Sequence, residues 1–237
     1  FQSDSSPGRL RTGPARVVAT TGRIAYEAPP APLLFGLMSE FVAQLRGNEE
    51  LHPLVAGAMA HLNLVSIHPF ADGNGRLSRI VQSLVLALRG ETVGEFGSIE
   101  PNLARDSASY YAVLESVQGG SFQPGRSALE WVEFCLAEHR RGALDRLKQI
   151  EAASARWMAL ESLLEGRGWP DRFAIAMERA IHADCDRSSY ANEANVSSAT
   201  ATNDLRRLLD AGFLELRGAG PSTHYAATPA LRTLAQQ

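Results

Sequence analysis

Apolar positions along the chain fall into two rhythms. Leu34, Met38, Phe41, Val42 and Leu45 recur at three- and four-residue steps, which predicts a helix ended by Gly47-Asn48. Leu54 to Ile67, entered through Pro53, is apolar nearly all round and predicts a central buried helix. Leu77 to Leu88 predicts another, ended by Gly90. Arg105 to Gln118 reads as a helix closed by Gly119-Gly120. A longer helical stretch runs from near Ser127 to Glu165, either whole or as bent or broken pieces. Ahead of these helices, Ala15 to Ala19 and Arg23 to Glu27 are short β-prone runs around Thr20, Thr21 and Gly22, which predicts a hairpin. Pro29, Pro30 and Pro32 then stop any strand and lead into the first helix.

After Gly166-Arg167-Gly168-Trp169-Pro170 the pattern changes. Phe173, Met177 and Ile181 fit one helix and Tyr190 to Ala194 a short second one. Ser197 or Ser198 caps a third, from Ala199 to Leu209, closed by Gly212. Phe213 to Leu216 and His224 to Ala227 read as strands around Gly218-Ala219-Gly220-Pro221. Helix, helix, helix, strand, glycine-rich turn, strand is the order of a winged helix-turn-helix. The expected fold is therefore mainly α, a helical bundle with a β-hairpin over 8–166 and a winged-helix domain over 167–237. Residues 1–7 are read as a tail, with Phe1-Gln2-Ser3 as the remnant of a cleaved expression tag.

Composition changes this picture little. The chain of 237 residues is long enough to bury a substantial core. A net charge of −3 does not by itself point to a polyanion partner. Cys135 and Cys185 are the only cysteines, so no disulfide framework or cysteine zinc site is expected, and a reducing cytoplasm is the default location. No apolar run is long enough to cross a membrane.

The stretch His68-Pro69-Phe70-Ala71-Asp72-Gly73-Asn74-Gly75-Arg76-Leu77-Ser78-Arg79 carries the chemistry. It is a polar turn between two helices predicted to be buried. Gly73 and Gly75 allow unusual backbone angles and close approach to a ligand. Successive N–H groups there can form an anion nest, and the positive end of the helix that starts near Arg76 adds to it. Arg76 and Arg79 lie on one helix face, and guanidinium groups bind phosphate oxygens in bidentate fashion. Asp72 is a hard oxygen ligand for Mg²⁺ or Mn²⁺ when phosphates supply further ligands. His68 suits a general base near neutral pH. Base, metal ligand, anion nest and two arginines together suit phosphoryl or nucleotidyl transfer.

This segment resembles the signature of the Fic family, His-Pro-Phe-x-Asp/Glu-Gly-Asn-Gly-Arg-x-x-Arg, and every fixed position matches. The resemblance extends over about Gly8 to His139, through Gly8-x-Leu10-Arg11, Tyr110-Tyr111 and Trp131. It implies a cytoplasmic bacterial enzyme that transfers AMP from ATP to a Tyr, Thr or Ser hydroxyl of a target protein and releases pyrophosphate. It implies that His68 deprotonates the hydroxyl and that Asp72 holds Mg²⁺. Gly73, Asn74 and Gly75 would hold the α- and β-phosphates, and Arg76 and Arg79 the β- and γ-phosphates. Tyr110, Tyr111 and Gln118 match positions that border the nucleoside pocket. The hairpin around Arg16, Val17 and Val18 resembles a flap that aligns the target by strand pairing.

Blander readings stand beside these. His61 on a buried helix reads as a satisfied core histidine, and Tyr110 and Tyr111 read equally well as core aromatics. His139, Arg140 and Arg141 read as a solvated helix face. From Asp171 onward seven arginines stand against eight acidic residues, and Asp204 and Asp210 flank Arg206 and Arg207 on the expected recognition helix. DNA binding is therefore less favoured there than protein docking or homodimer geometry. Alternatives remain at the level of function: transfer of another nucleotide or of a phosphate, or a nucleotide-sensing transcription regulator. The inhibitory motif of many relatives, Ser/Thr-x-x-x-Glu-Gly/Asn, has no match, since Glu165-Gly166 carries Glu161 where Ser or Thr is needed. An inhibitory helix upstream or a separate inhibitory protein is the corresponding expectation.

Overall fold

The structure is a computed structural model, and it describes residues 8–47, 50–90, 98–183, 185–218 and 223–234. The expected end of the first helix at Asn48, the tag remnant and most of the glycine-rich turn after Gly218 lie outside the described residues. The chain divides into two compact units, residues 1–145 and 146–237. By packing, the division thus falls inside the long helix rather than at Gly166.

In the first unit β1 (Arg16–Val18) pairs antiparallel with β2 (Ile24–Glu27), with an irregularity between Val17 and Val18. Helices α1 (Leu34–Gly47), α2 (Pro53–Ile67) and α3 (Asn74–Leu88) follow. Small residues Ala56, Gly57, Ala58 and Ala60 line buried positions of α2 and let α3 approach closely. A Cβ on Gly57 would stand 3.4 Å from the Gln82 side chain. Leu34, Phe41, Leu64 and Val85 form one apolar cluster, and Leu62, Tyr110, Leu114 and Trp131 belong to a second.

Two expectations are corrected here. The helix expected from Leu77 begins at Asn74, because Gly73 at φ 83° turns the backbone into the first helical residue. Nor is α3 buried through apolar residues alone. Asn74, Ser78 and Gln82, one turn apart, are buried, while Ile80, Leu84 and Leu88 face outward. A third correction concerns Arg105 to Gln118. Asp106 leaves helical geometry and accepts the Ser109 N–H at 3.1 Å, so the segment splits into α4 (Glu100–Arg105) and α5 (Ser107–Gln118). The following stretch is one helix, α6 (Leu129–Gly166).

The second unit holds α7 (Phe173–His182), α8 (Arg187–Glu193), α9 (Ser198–Asp210), β3 (Leu214–Arg217), β4 (His224–Ala227) and α10 (Pro229–Leu234). The element order follows the sequence reading, with α10 added. Ser197 caps α9 by accepting the Thr200 N–H at 3.1 Å. Phe173, Met177, Tyr190, Leu205, Leu208 and Leu231 form its core.

Candidate active site

The site is built where α2 ends and α3 begins. His68 is the C-cap of α2 and adopts φ 50°, ψ 57°, a left-handed conformation uncommon for a side chain with a Cβ. Neighbouring groups hold it there. Its N–H bonds to the Leu64 carbonyl at 3.0 Å, and its carbonyl accepts Arg11 Nε at 2.8 Å. Arg11 is itself buried, and its other nitrogens donate to the Gly13 and Pro29 carbonyls at 2.7 and 2.5 Å. Its N–H bonds to Pro69 at 2.9 Å. The sequence reading gave Arg11 no role, and its hydrogen bonds tie the turn at His68 to the segment before α1.

The His68 imidazole donates from Nδ1 to the Val65 carbonyl at 3.2 Å, which leaves Nε2 with its lone pair. Burial holds the ring below the ordinary histidine value, the Val65 bond opposes this, and the Arg11 cation adds to the lowering. The ring is therefore a free base at neutral pH.

The turn after it is braced by Asn74. Its side chain accepts the Phe70 N–H at 2.9 Å and donates to the Phe70 carbonyl at 2.8 Å. Ser78 Oγ bonds back to the Asn74 carbonyl at 2.8 Å. Asn74 thus spends its amide on shaping the loop. The first backbone bond of α3 runs from Leu77 to Gly73, so the N–H groups of Asn74, Gly75 and Arg76 precede the ladder. Asp72 accepts the Gly73 N–H at 2.6 Å and pairs with Arg76 at 3.2 Å. Both partners of that pair are largely exposed and open to exchange for solvent or phosphate.

Arg79 has a partner that the sequence did not announce. Its Nε lies 3.0 Å from Glu100 Oε1 at the start of α4. Among the described residues no group of three or more His, Cys, Asp or Glu side chains could hold a metal. Asp72 is a single exposed carboxylate, which fits a cation whose other ligands are phosphates and water.

The remaining expected site residues are placed as follows. Val17 sits opposite Tyr26 in the hairpin, and Val18 is exposed. Glu27 N–H bonds to the Gly120 carbonyl at 2.9 Å, so β2 is tied to the segment after α5, and Arg23 pairs with Glu115 of α5 at 2.5 Å. Tyr111 is exposed, one turn before Glu115. Tyr110 is turned inward, with its hydroxyl 3.1 Å from His61 Nε2. Gln118 bonds to Ser66 Oγ at 3.0 Å and lines a cavity of about 380 Å³ with Tyr26, Phe41, Asn63 and Phe122. That cavity is lined by none of the residues from His68 to Arg79. His61 is fully buried and bonded, as its core reading required. His139 is not part of a solvated face, because Gln82 Nε2 lies 3.3 Å from its Nε2. In the second unit Asp204 does not flank the arginines at the surface. It is buried and receives Arg172 at 2.7 and 3.0 Å and the Tyr190 hydroxyl at 3.0 Å.

Residues 2–86 match the Fic/DOC family. The chain is 46% identical over 65 residues to a protein adenylyltransferase Fic of Culex quinquefasciatus, which covers 26% of the chain and 13% of that relative. It is 34% identical over 106 residues to the protein of the same name from Nematostella vectensis, with 43% and 23% covered. The chain thus spans less than a quarter of the length of these relatives. Among solved structures, a Fic family protein from Desulfovibrio desulfuricans G20 shares the fold over 96% of this chain and 65% of its own, with a TM-score of 0.58 at 24% identity.

Proposed function

The chain belongs to the Fic/DOC family through the segment that builds its anion cradle, and from that premise we propose that it transfers AMP from ATP to a hydroxyl side chain of a target protein. The observation that carries the reading is the juxtaposition at one turn of a free imidazole Nε2, unladdered N–H groups and two arginines. His68 takes the proton of the incoming hydroxyl, whose oxygen attacks the α-phosphorus. The bond to the β-phosphate bridge breaks, and pyrophosphate leaves with the electron pair. The N–H groups of 74–76 and the two guanidinium groups stabilise charge on the phosphate oxygens. ATP must displace Glu100 from Arg79 and Asp72 from Arg76. A divalent cation held by Asp72 would orient the phosphates and neutralise the leaving group.

The β1 edge supports target docking by strand addition, since β2 already occupies its other edge. The second unit we take as a winged helix-turn-helix, with α9 as the second helix of the motif and β3–β4 as the wing. A neighbouring reading, transfer of another nucleotide or of the terminal phosphate, uses the same cradle.

One experiment separates these. The protein is incubated with ATP, GTP, CTP and UTP, labelled at the α or γ position, together with a cell lysate. Label from α-ATP on protein, lost in His68→Ala and in EDTA, is the expected result. Transfer of γ-label, or preference for another base, would replace the reading.

A further inference from the structure

Arg11 does more than brace one turn, because its guanidinium joins three separate stretches of chain. Nε donates to the His68 carbonyl at 2.8 Å, one Nη to the Gly13 carbonyl at 2.7 Å and the other to the Pro29 carbonyl at 2.5 Å. Gly13 precedes β1 and Pro29 follows β2, so these last two carbonyls belong to the two feet of the hairpin. The feet are also paired directly, by the Ala28 N–H on the Ala15 carbonyl at 3.0 Å. One buried fork therefore holds both feet of the hairpin against the backbone of His68.

A second tie lies beside it. Tyr26 of β2 is buried, and its hydroxyl donates to the Ser66 carbonyl at 2.7 Å, two residues before His68. Val17 of β1 stands opposite Tyr26, so the strand with the open outer edge is in register with this anchor. Glu27 and Arg23 fasten the hairpin to Gly120 and to Glu115 of α5. Arg11 and Tyr26 fasten it instead to the helix that ends in the histidine.

Packing alone does not account for Arg11. A guanidinium keeps its charge, and burying a charge is costly. All three partners of its side chain are carbonyls, and a methionine would fill the space without that cost. What an apolar chain cannot do is hold three carbonyls in fixed directions, which a planar fork of donors does. The left-handed backbone of His68, at φ 50°, needs such a hold.

We propose that Arg11 and Tyr26 are positioning residues that lock the hairpin to the C-terminal end of α2, so that an acceptor hydroxyl docked on the β1 edge meets the free nitrogen of His68 in fixed register. The inference rests on the transfer reading, with the target docked along the hairpin. Both side chains act through backbone carbonyls, and neither belongs to the N–H groups and arginines of the phosphate cradle. Loss of the lock therefore disturbs the meeting of acceptor and base while leaving the nucleotide in place. A misplacement of about 1 Å at that point can cost about 10²-fold in rate.

The test uses the full chain as wild type, Arg11→Met, Arg11→Lys, Tyr26→Phe and, as a core loss elsewhere in the same unit, Leu114→Ala. Near-ultraviolet circular dichroism checks native packing in each. The first readout needs no nucleotide: amide hydrogen exchange at Ala28, whose N–H pairs the hairpin feet, against exchange at Val117 within α5. Arg11→Met should speed exchange at Ala28 by about tenfold or more and leave Val117 near wild type, and Leu114→Ala should do the opposite. The second readout is transfer from α-labelled ATP to the proteins of a cell lysate. The maximal rate in Arg11→Met should fall by about 10²-fold, with KM for ATP within about twofold of wild type. Tyr26→Phe, which keeps the ring, should show a smaller fall of the same kind. Arg11→Lys, which keeps the charge without the fork, should recover only part of the rate. If Arg11→Met loses native packing, Tyr26→Phe and Arg11→Lys carry both readouts. Unchanged exchange at Ala28, full recovery in Arg11→Lys, or a loss carried by KM for ATP would overturn the proposal. So would a fall in maximal rate as large in Leu114→Ala. A wild type that labels no protein, with Ala28 responding as expected, would sink the transfer reading and leave the lock between hairpin and α2 standing.

Discussion

At the scale of single residues, the site depends on where protons rest. His68 has one ring nitrogen committed to Val65 and one free, and burial lowers its proton affinity. The sign of the pH effect follows from this. A base whose folded value is depressed stays unprotonated until the pH falls below its ordinary value of 6.5. Transfer rates at saturating cofactor should therefore be flat through neutral pH, with an acid limb that lies below 6.5. His68→Ala should lose about 10²–10⁴-fold in rate, with ATP affinity little changed. A pH–rate series on the labelled reaction checks both. An acid limb centred above 6.5 would mean that a different group carries the proton. The nine fixed signature positions were legible because they are contiguous and local backbone rules act on them together. Glu100 and Arg11 were not legible, since their partners are brought to them by helices and loops distant in sequence.

Elements show why periodicity alone misjudged α3. Its inner face carries Asn74, Ser78 and Gln82, each with its own polar partner, beside the buried Val85 and Leu86, while Ile80, Leu84 and Leu88 face outward. At a helix that supports a polar site, bonded polar residues share the inner face with apolar ones, and some apolar residues turn outward. The small face of α2 compensates by bringing α3 close, and Gly57 stands at that contact. Gly57→Val should push against the Gln82 side chain and backbone and cost about 1–3 kcal/mol of stability in urea unfolding. Leu84→Ala, on the outward face, should change stability by about 0.5 kcal/mol or less. The reverse order would mean that Leu84 is covered in solution. The hairpin, the glycine-closed helix ends and the order of elements in the second unit were all readable, because turn residues and caps act within a few positions. The break at Asp106 was missed, since an aspartate inside an apolar rhythm reads equally as a helix surface residue.

Across the whole molecule, charge is not spread evenly. Residues 146–237 hold eleven basic and eleven acidic side chains, so the net charge of −3 belongs to residues 1–145. The plain count argued against a polyanion partner for the second unit, and the placement of each charge refines it. Asp204 is turned inward and neutralised by Arg172, which removes a carboxylate from the outer face of α9. Arg207 lies over the Trp169 and Phe173 rings, and Arg217 is paired with Glu215. Arg187 on α8 and Arg206 on α9 are exposed, with no ion pair among the described residues. Two exposed cations on α8 and α9 can release few counterions from a duplex. Binding to a random-sequence duplex should therefore be weak, with a slope of log affinity against log salt of about −2. Arg206→Ala should reduce that slope by about 1. Fluorescence anisotropy over a salt series makes the measurement. A slope several times steeper would show that the second unit gathers a larger basic footprint, for example by pairing two copies on one duplex, and would raise DNA above protein docking as its partner.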